Sequence, residues 1–229
     1  MIQFDIDGEK IEVSERDLFK KVLENELCNK PLLFKFFVGL IDEIPSYFWS
    51  ASASSSGKFH PSHEQGEGGL VRHSLMVYRW LTMLIESDEH VDQEFIPSMV
   101  VASLFHDCCK QGFVQEISPT SGNPLTKHEH PILAAKFILD RVDKFLQDNK
   151  DFIEMTADDD ESFKQDIAIV TSCIESHMGR WNKNEHSTII LPKPKSSYQL
   201  LVHLSDYIAS RKCSSFDYDY FKKFVDNSK

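Results

Sequence analysis

The chain has 229 residues, 41% of them hydrophobic and 17 of them Phe, which is enough to bury one large core. Its formal net charge of −11 disfavours sequence-independent binding to long duplex nucleic acid, which rests on many Lys and Arg contacts to phosphate, but leaves room for a nucleotide or a short oligonucleotide in a locally basic pocket. The five cysteines (Cys28, Cys108, Cys109, Cys173, Cys213) are odd in number without a C-x-x-C spacing, no apolar run is long enough to span a bilayer, and Met1-Ile2-Gln3-Phe4-Asp5 lacks a signal pattern, so a cytoplasmic protein with reduced thiols is expected.

Taken in order, Ile2, Phe4 and Ile6 alternate, Asp7-Gly8 is a tight-turn dipeptide, and Ile11 and Val13 resume the alternation. This predicts a small N-terminal β-hairpin. Ser14 is a helix N-cap ahead of Leu18, Val22, Leu23 and Leu27 at helical spacing, and Pro31 opens a second helical run that Pro45 ends. Residues 1–49 are expected to pack as hairpin and helices on a main domain at 50–229. Residues 50–69, rich in Ser and Gly, read either as a flexible linker or as a functional loop, because they carry Lys58, His60 and His63. From Leu70 the periodicity is helical: 70–86, 93–109, 130–146, 163–177, 196–211 and a short terminal helix at 216–225. Residues 111–127 and 181–194 read as loops, and the acidic segment 148–161 as a solvated loop. The class is therefore all-α apart from the hairpin.

The helix closing at Ala102-Ser103-Leu104-Phe105-His106-Asp107-Cys108-Cys109-Lys110 carries a His-Asp doublet at the end of an apolar run. A carboxylate buried there is costly unless it is paired or bound to a metal. Other histidines and acids also fall near helix ends: His73, His130, His177 and Asp206. His128 competes with His130, but Pro131-Ile132-Leu133 places His130 at a helix entry. Four histidines and two carboxylates suit one or two divalent transition metals (Fe, Mn, Co, Ni or Zn, with Mg admissible), and the absence of thiolate pairs argues against a structural zinc. Lys110 is a candidate to hold phosphate beside the doublet. Arg72, Arg180 and Trp181, with Lys58, His60 and His63 from the loop, are candidates to bind substrate, the guanidiniums to phosphate and the indole to a base.

The ordered set His73, His106-Asp107, Asp206 resembles the HD-domain superfamily of metal-dependent phosphohydrolases, whose pattern is H…HD…D on an all-helical fold. Gly68-Gly69-Leu70-Val71-Arg72-His73-Ser74, Leu104 to Lys110, Ser176-His177-Met178-Gly179 and Leu201 to Ser210 are similar to segments of its exonuclease-like members, and the resemblance covers Ser50 to Lys212. It implies an HD-domain helical bundle in which His73, His106, Asp107 and Asp206 hold one metal. His130 and His177 would add a second, with Asp107 bridging. Met178 stands where that subgroup often has a second histidine, and these 229 residues are not expected to form the oligonucleotide-binding barrel that its exonucleases usually carry. The implied activity is a phosphomonoesterase or phosphodiesterase acting on nucleotides or related small phosphoesters, with Asp107 and Lys110 at the chemistry. A 3′–5′ exonuclease or oligonucleotide phosphodiesterase acting on short single strands, and a non-catalytic nucleotide-binding protein, are the other expectations. Oligomeric state has no signal in the sequence.

Overall fold

The computed structural model describes residues 1–54, 60–155 and 160–226. Among them lie nine α-helices and one two-stranded antiparallel sheet. Strands β1 (Ile2–Ile6) and β2 (Glu9–Val13) pair from Ile2↔Val13 to Ile6↔Glu9. Asp7 and Gly8 both take positive φ, 53° and 85°, the turn geometry whose twist matches the flanking strands. Ile2, Phe4 and Ile6 all turn inward, as alternation along a strand requires.

Helix α1 (Glu15–Glu26) starts where Ser14 Oγ accepts the Asp17 N–H at 3.0 Å, and α2 (Pro31–Leu40) starts on its proline. The remaining helices are α3 (Gly69–Glu86), α4 (Ile96–Phe105), α5 (His130–Asp148), α6 (Lys150–Met155), α7 (Asp160–Ser176), α8 (Ser197–Ala209) and α9 (Tyr218–Asp226). Every residue of α4 from Ser98 to Phe105 is buried, as expected of a helix that is apolar on all sides. It is surrounded by α1, α3, α7 and α8, while α3 packs along α8 and α5 along α7. One hydrophobic core includes the N-terminal elements: Phe19 of α1 meets Phe48, Trp49 and Phe105 edge-on, with centroids 5.9, 5.5 and 5.4 Å away.

Two expectations change. The doublet helix stops at Phe105, not Cys109. Three-residue closures follow, from Cys108 N to Phe105 O at 3.0 Å, Lys110 N to Asp107 O at 3.0 Å and Gly112 N to Cys109 O at 2.8 Å. A continuous helix would splay consecutive side chains ~100° apart, whereas these turns let His106 and Asp107 face the same centre. The acidic stretch is not all loop, because α6 occupies 150–155 with Phe152 and Ile153 packed on the core. Asp158 and Asp159 lie outside the described residues.

Candidate metal centre

The helix ends deliver six side chains to one buried point. His73 comes from the first turns of α3, His106 and Asp107 from the exit of α4, His130 from the entry of α5, His177 from the exit of α7, and Asp206 from the second half of α8. His73, His106 and Asp206 offer ligand atoms within 4.8 Å of one another, and so do His106, Asp107 and His177. Asp107 divides the group. Its Oδ2 lies 3.4 Å from His106 Nε2 and 3.8 Å from His73 Nε2, and its Oδ1 lies 3.0 Å from His130 Nε2 and 3.8 Å from His177 Nε2.

Each imidazole is held by its far nitrogen. Nδ1 of His106, His130 and His177 donates to the carbonyls of Ser103, Lys127 and Ile174 at 2.8, 2.7 and 2.7 Å, in each case three residues back. A neutral imidazole with its proton at Nδ1 presents a lone pair at Nε2. Nε2 of His130 and His177 stand 3.2 Å apart, with Asp107 Oδ1 3.0 Å from His130 Nε2, so three atoms that can each offer a lone pair converge. His106 Nε2 and Asp107 Oδ1 are buried without a hydrogen-bond donor. Converging acceptors in a buried site repel one another unless a proton or a cation lies among them, and this donor set fits a divalent metal. Carbonyl and carboxylate partners at Nδ1 are the usual outer support of metal-bound histidines.

The fourth imidazole rests on a residue that is not among the expected ligands. His73 Nδ1 is 3.0 Å from Glu64 Oε2, which also accepts from His60 Nδ1 at 2.7 Å. Glu64 is fully buried. Burial acts first and would raise its pKa, but the charge of His73 and the hydrogen bonds from His60 and His73 outweigh it and hold the carboxyl well below the usual range. Burial likewise disfavours charge on His73, yet Glu64 and Asp206 push its pKa up to about 10, so without metal it is an imidazolium bridging two carboxylates, with Nε2 3.1 Å from Asp206 Oδ1. His177 is pushed down to about 3, chiefly by burial, which disfavours a charged ring. Asp107 and Asp206 are held low against burial, Asp107 first by the charge of Lys110 and Asp206 first by the hydrogen bond from His73.

Backbone geometry brings Glu64 there. The stretch around the predicted linker is pinned in its described parts: Ala53 N to Glu64 O at 3.0 Å, Gly68 N to Ser50 O at 3.1 Å, Leu70 N to Ala51 O at 2.9 Å. Gly69 allows the approach, since a Cβ there would sit 2.1 Å from Glu64 O. At the other end, Gly179 has φ 53° and a Cβ would meet the His203 ring at 2.2 Å. That ring donates from Nδ1 to His177 O at 2.6 Å, which fixes the turn carrying His177.

A cavity of about 550 Å³ opens over the centre, lined by His60, Asp107, His130, His177 and Asp206 together with Lys110, Arg180, Trp181, Tyr207 and Arg211. Lys110 Nζ lies 2.6 Å from Asp107 Oδ2. The structure thus brings together the six expected ligands with Lys110, Arg180 and Trp181. It does not bring Arg72. That guanidinium points away, bonding Glu15 Oε1 at 2.6 Å and the carbonyls of His63, Glu67 and Gln65 at 2.6, 2.7 and 3.3 Å, because neighbouring residues of a helix face different directions. Arg72 ties the loop to α1 and does not line the cavity. Lys58 lies outside the described residues. His63 Nε2 is 3.6 Å from Glu64 Oε1, beyond hydrogen-bond length, and its ring packs edge-on against Phe216. His128 bonds Ile189 O at 3.2 Å, away from the centre. Sequence reasoning missed Glu64, Tyr207 and Arg211. Glu64 carries only a weak signal, an acid four residues after His60 in a Gly-rich loop.

Comparisons of this chain with protein-family models, with curated proteins and with solved structures return no significant match.

Proposed function

We propose that the chain is a metal-dependent phosphohydrolase of HD type acting on nucleotides or related small phosphoesters. The observation that carries this reading is the buried pair of Nε2 atoms, His130 and His177, facing each other at 3.2 Å beneath a cavity with three cationic side chains on its wall. The ordered His73, His106-Asp107 and Asp206 support it from the sequence. His73, His106, Asp107, His130, His177 and Asp206 would hold one or two divalent cations. Bound there, such an ion supplies Lewis acidity that polarises a phosphoryl oxygen and lowers the pKa of water towards ~7.

The chain's own groups do the rest. Asp107 keeps Lys110 beside the centre, where its ammonium meets the charge that grows on phosphoryl oxygens in the transition state. Arg180 presents a planar fork of donors suited to phosphate, and Trp181, 39% exposed, offers a face for a base. Five of the six residues are buried and Asp206 is half-buried, which limits contact with bulk water, so each charge interaction is stronger than at the surface.

The test is elemental analysis of the purified chain, joined to a panel of nucleoside monophosphates, p-nitrophenyl phosphate, a bis-ester and short oligonucleotides with Mn2+, Fe2+, Co2+, Ni2+, Zn2+ and Mg2+. Bound transition metal, turnover of the small esters, and loss of both together in Asp107→Ala are expected. Full activity in a metal-free Asp107→Ala chain would sink the assignment. Stepwise shortening of oligonucleotides alone would move it to a 3′–5′ exonuclease, and tight nucleotide binding without turnover to a non-catalytic sensor.

A further inference from the structure

Arg180 and Arg211 stand out among the cations of this acidic chain. Of six arginines, Arg16, Arg72, Arg79 and Arg141 each pair with a carboxylate, respectively Asp42, Glu15, Asp217 and Glu43. Among the described residues no carboxylate pairs with Arg180 or Arg211, and both line the cavity over the candidate metal centre. With 36 acidic residues against 25 Lys and Arg, carboxylates are plentiful in this chain. Two arginines left without a carboxylate in one cavity point to an anion brought from outside.

Their surroundings hold them in place. Trp181 and Tyr207 stack with centroids 5.4 Å apart and planes at 23°. Arg180 lies 4.4 Å from the Trp181 centroid, and Arg211 lies 4.3 Å from that of Tyr207. Arg211 also donates from Nε to Tyr207 O at 3.0 Å and from Nη2 to Ser210 Oγ at 2.8 Å. An aromatic face fixes a guanidinium without neutralising it, so the charge stays available to the cavity. The two acids on the lining, Asp107 and Asp206, are turned to the histidines: Asp206 Oδ1 lies 3.1 Å from His73 Nε2, and Asp107 meets His130 and Lys110.

We infer that Arg180 and Arg211, braced by Trp181 and Tyr207, form a subsite for a second phosphate of the substrate, one that is bound and not cleaved. This deepens and rests on the phosphohydrolase reading: Lys110 and the metal centre face the scissile phosphate, and the arginine pair selects nucleotides that carry another. The second phosphate is either on the same nucleoside, as in a nucleoside bisphosphate or diphosphate, or on the neighbouring residue of a 5′-phosphorylated dinucleotide.

Binding is measured by calorimetry on the metal-loaded full chain, with adenosine phosphonates whose bridging oxygens are replaced by methylene, one bearing a single phosphoryl group and one bearing two. The two-phosphoryl probe is expected to bind at least about tenfold tighter, and Arg180→Ala and Arg211→Ala each to remove most of that difference. Arg211→Lys, which keeps charge but loses the fork, should restore it only in part. Turnover of adenosine monophosphate, adenosine 3′,5′-bisphosphate and a 5′-phosphorylated dinucleotide then separates the two sources, with the loss in the alanine variants appearing in KM more than in kcat. Equal binding of both probes by the wild-type chain, or a difference that survives in both folded alanine variants, overturns the subsite. A binding difference without turnover of any ester leaves the subsite standing and sinks the hydrolase reading.

Discussion

A neutral imidazole has one proton and one lone pair, and a hydrogen bond at one nitrogen decides which end keeps each. In this chain the carbonyls of Ser103, Lys127 and Ile174 make that decision for His106, His130 and His177, and Glu64 makes it for His73. Glu64 differs from the carbonyls in being a charge that can be removed without moving backbone. Glu64→Gln keeps the shape but loses the negative charge behind His73 and one acceptor for His60. Metal affinity is expected to fall about 10–100-fold with every proposed ligand intact. Competition against a fluorescent chelator measures this, and wild-type affinity in the variant would show that Glu64 serves packing alone.

Helix ends, more than helix bodies, carry the chemistry, and two glycines set how closely those ends meet. Gly69 and Gly39 make a controlled pair. Alanine at 69 places its Cβ 2.1 Å from the Glu64 carbonyl oxygen, whereas alanine at 39, on the exposed side of α2, meets nothing within 4 Å. Gly69→Ala is expected to cost about 1–3 kcal/mol by forced displacement of the Glu64 segment, and to weaken metal binding with it. Gly39→Ala is expected to stabilise by up to ~1 kcal/mol through helix propensity. Urea unfolding of both variants checks the opposite signs, and equal effects would mean that the Glu64 segment yields freely.

At the scale of the molecule, the centre ties together α3, α4, α5, α7 and α8, so ligand occupancy and global stability are coupled. Binding of an ion to the folded chain alone adds RT ln(1 + [L]/Kd), about 2.7 kcal/mol at a hundredfold excess over Kd. A strong chelator is therefore expected to lower the midpoint of thermal unfolding, and added Mn2+ or Zn2+ to restore it. His73, pushed up to about 10 without metal, must lose its proton to bind, so the metal-dependent part of the stability is fully present only above that pH and falls progressively as pH drops below it. Differential scanning fluorimetry with and without chelator between pH 8 and pH 5 reads this directly. A chelator effect that is unchanged at pH 5 would rule out histidine ligation. Among the described residues no helix is long and apolar enough to cross a membrane.

The sequence by itself determined the helical class, the hairpin with its Asp7-Gly8 turn, the N-cap at Ser14 and the residues that gather at the centre. Those features depend on local backbone preference and on apolar periodicity, both written within a few residues of chain. Only the tertiary structure decided which neighbours of the ligands share the site. Arg72 is next to His73 in sequence yet faces Glu15, while Glu64, nine residues before His73, lies beneath it because Gly69 lets two backbones touch. Tyr207 and Arg211 gain their place from α8 lying beside the turn after α7, a packing relation that no local pattern encodes. Direction around a helix axis and approach between distant segments are set by the whole core at once, and for that reason the converging histidines and aspartates could be named from the sequence while the residues that support them could not.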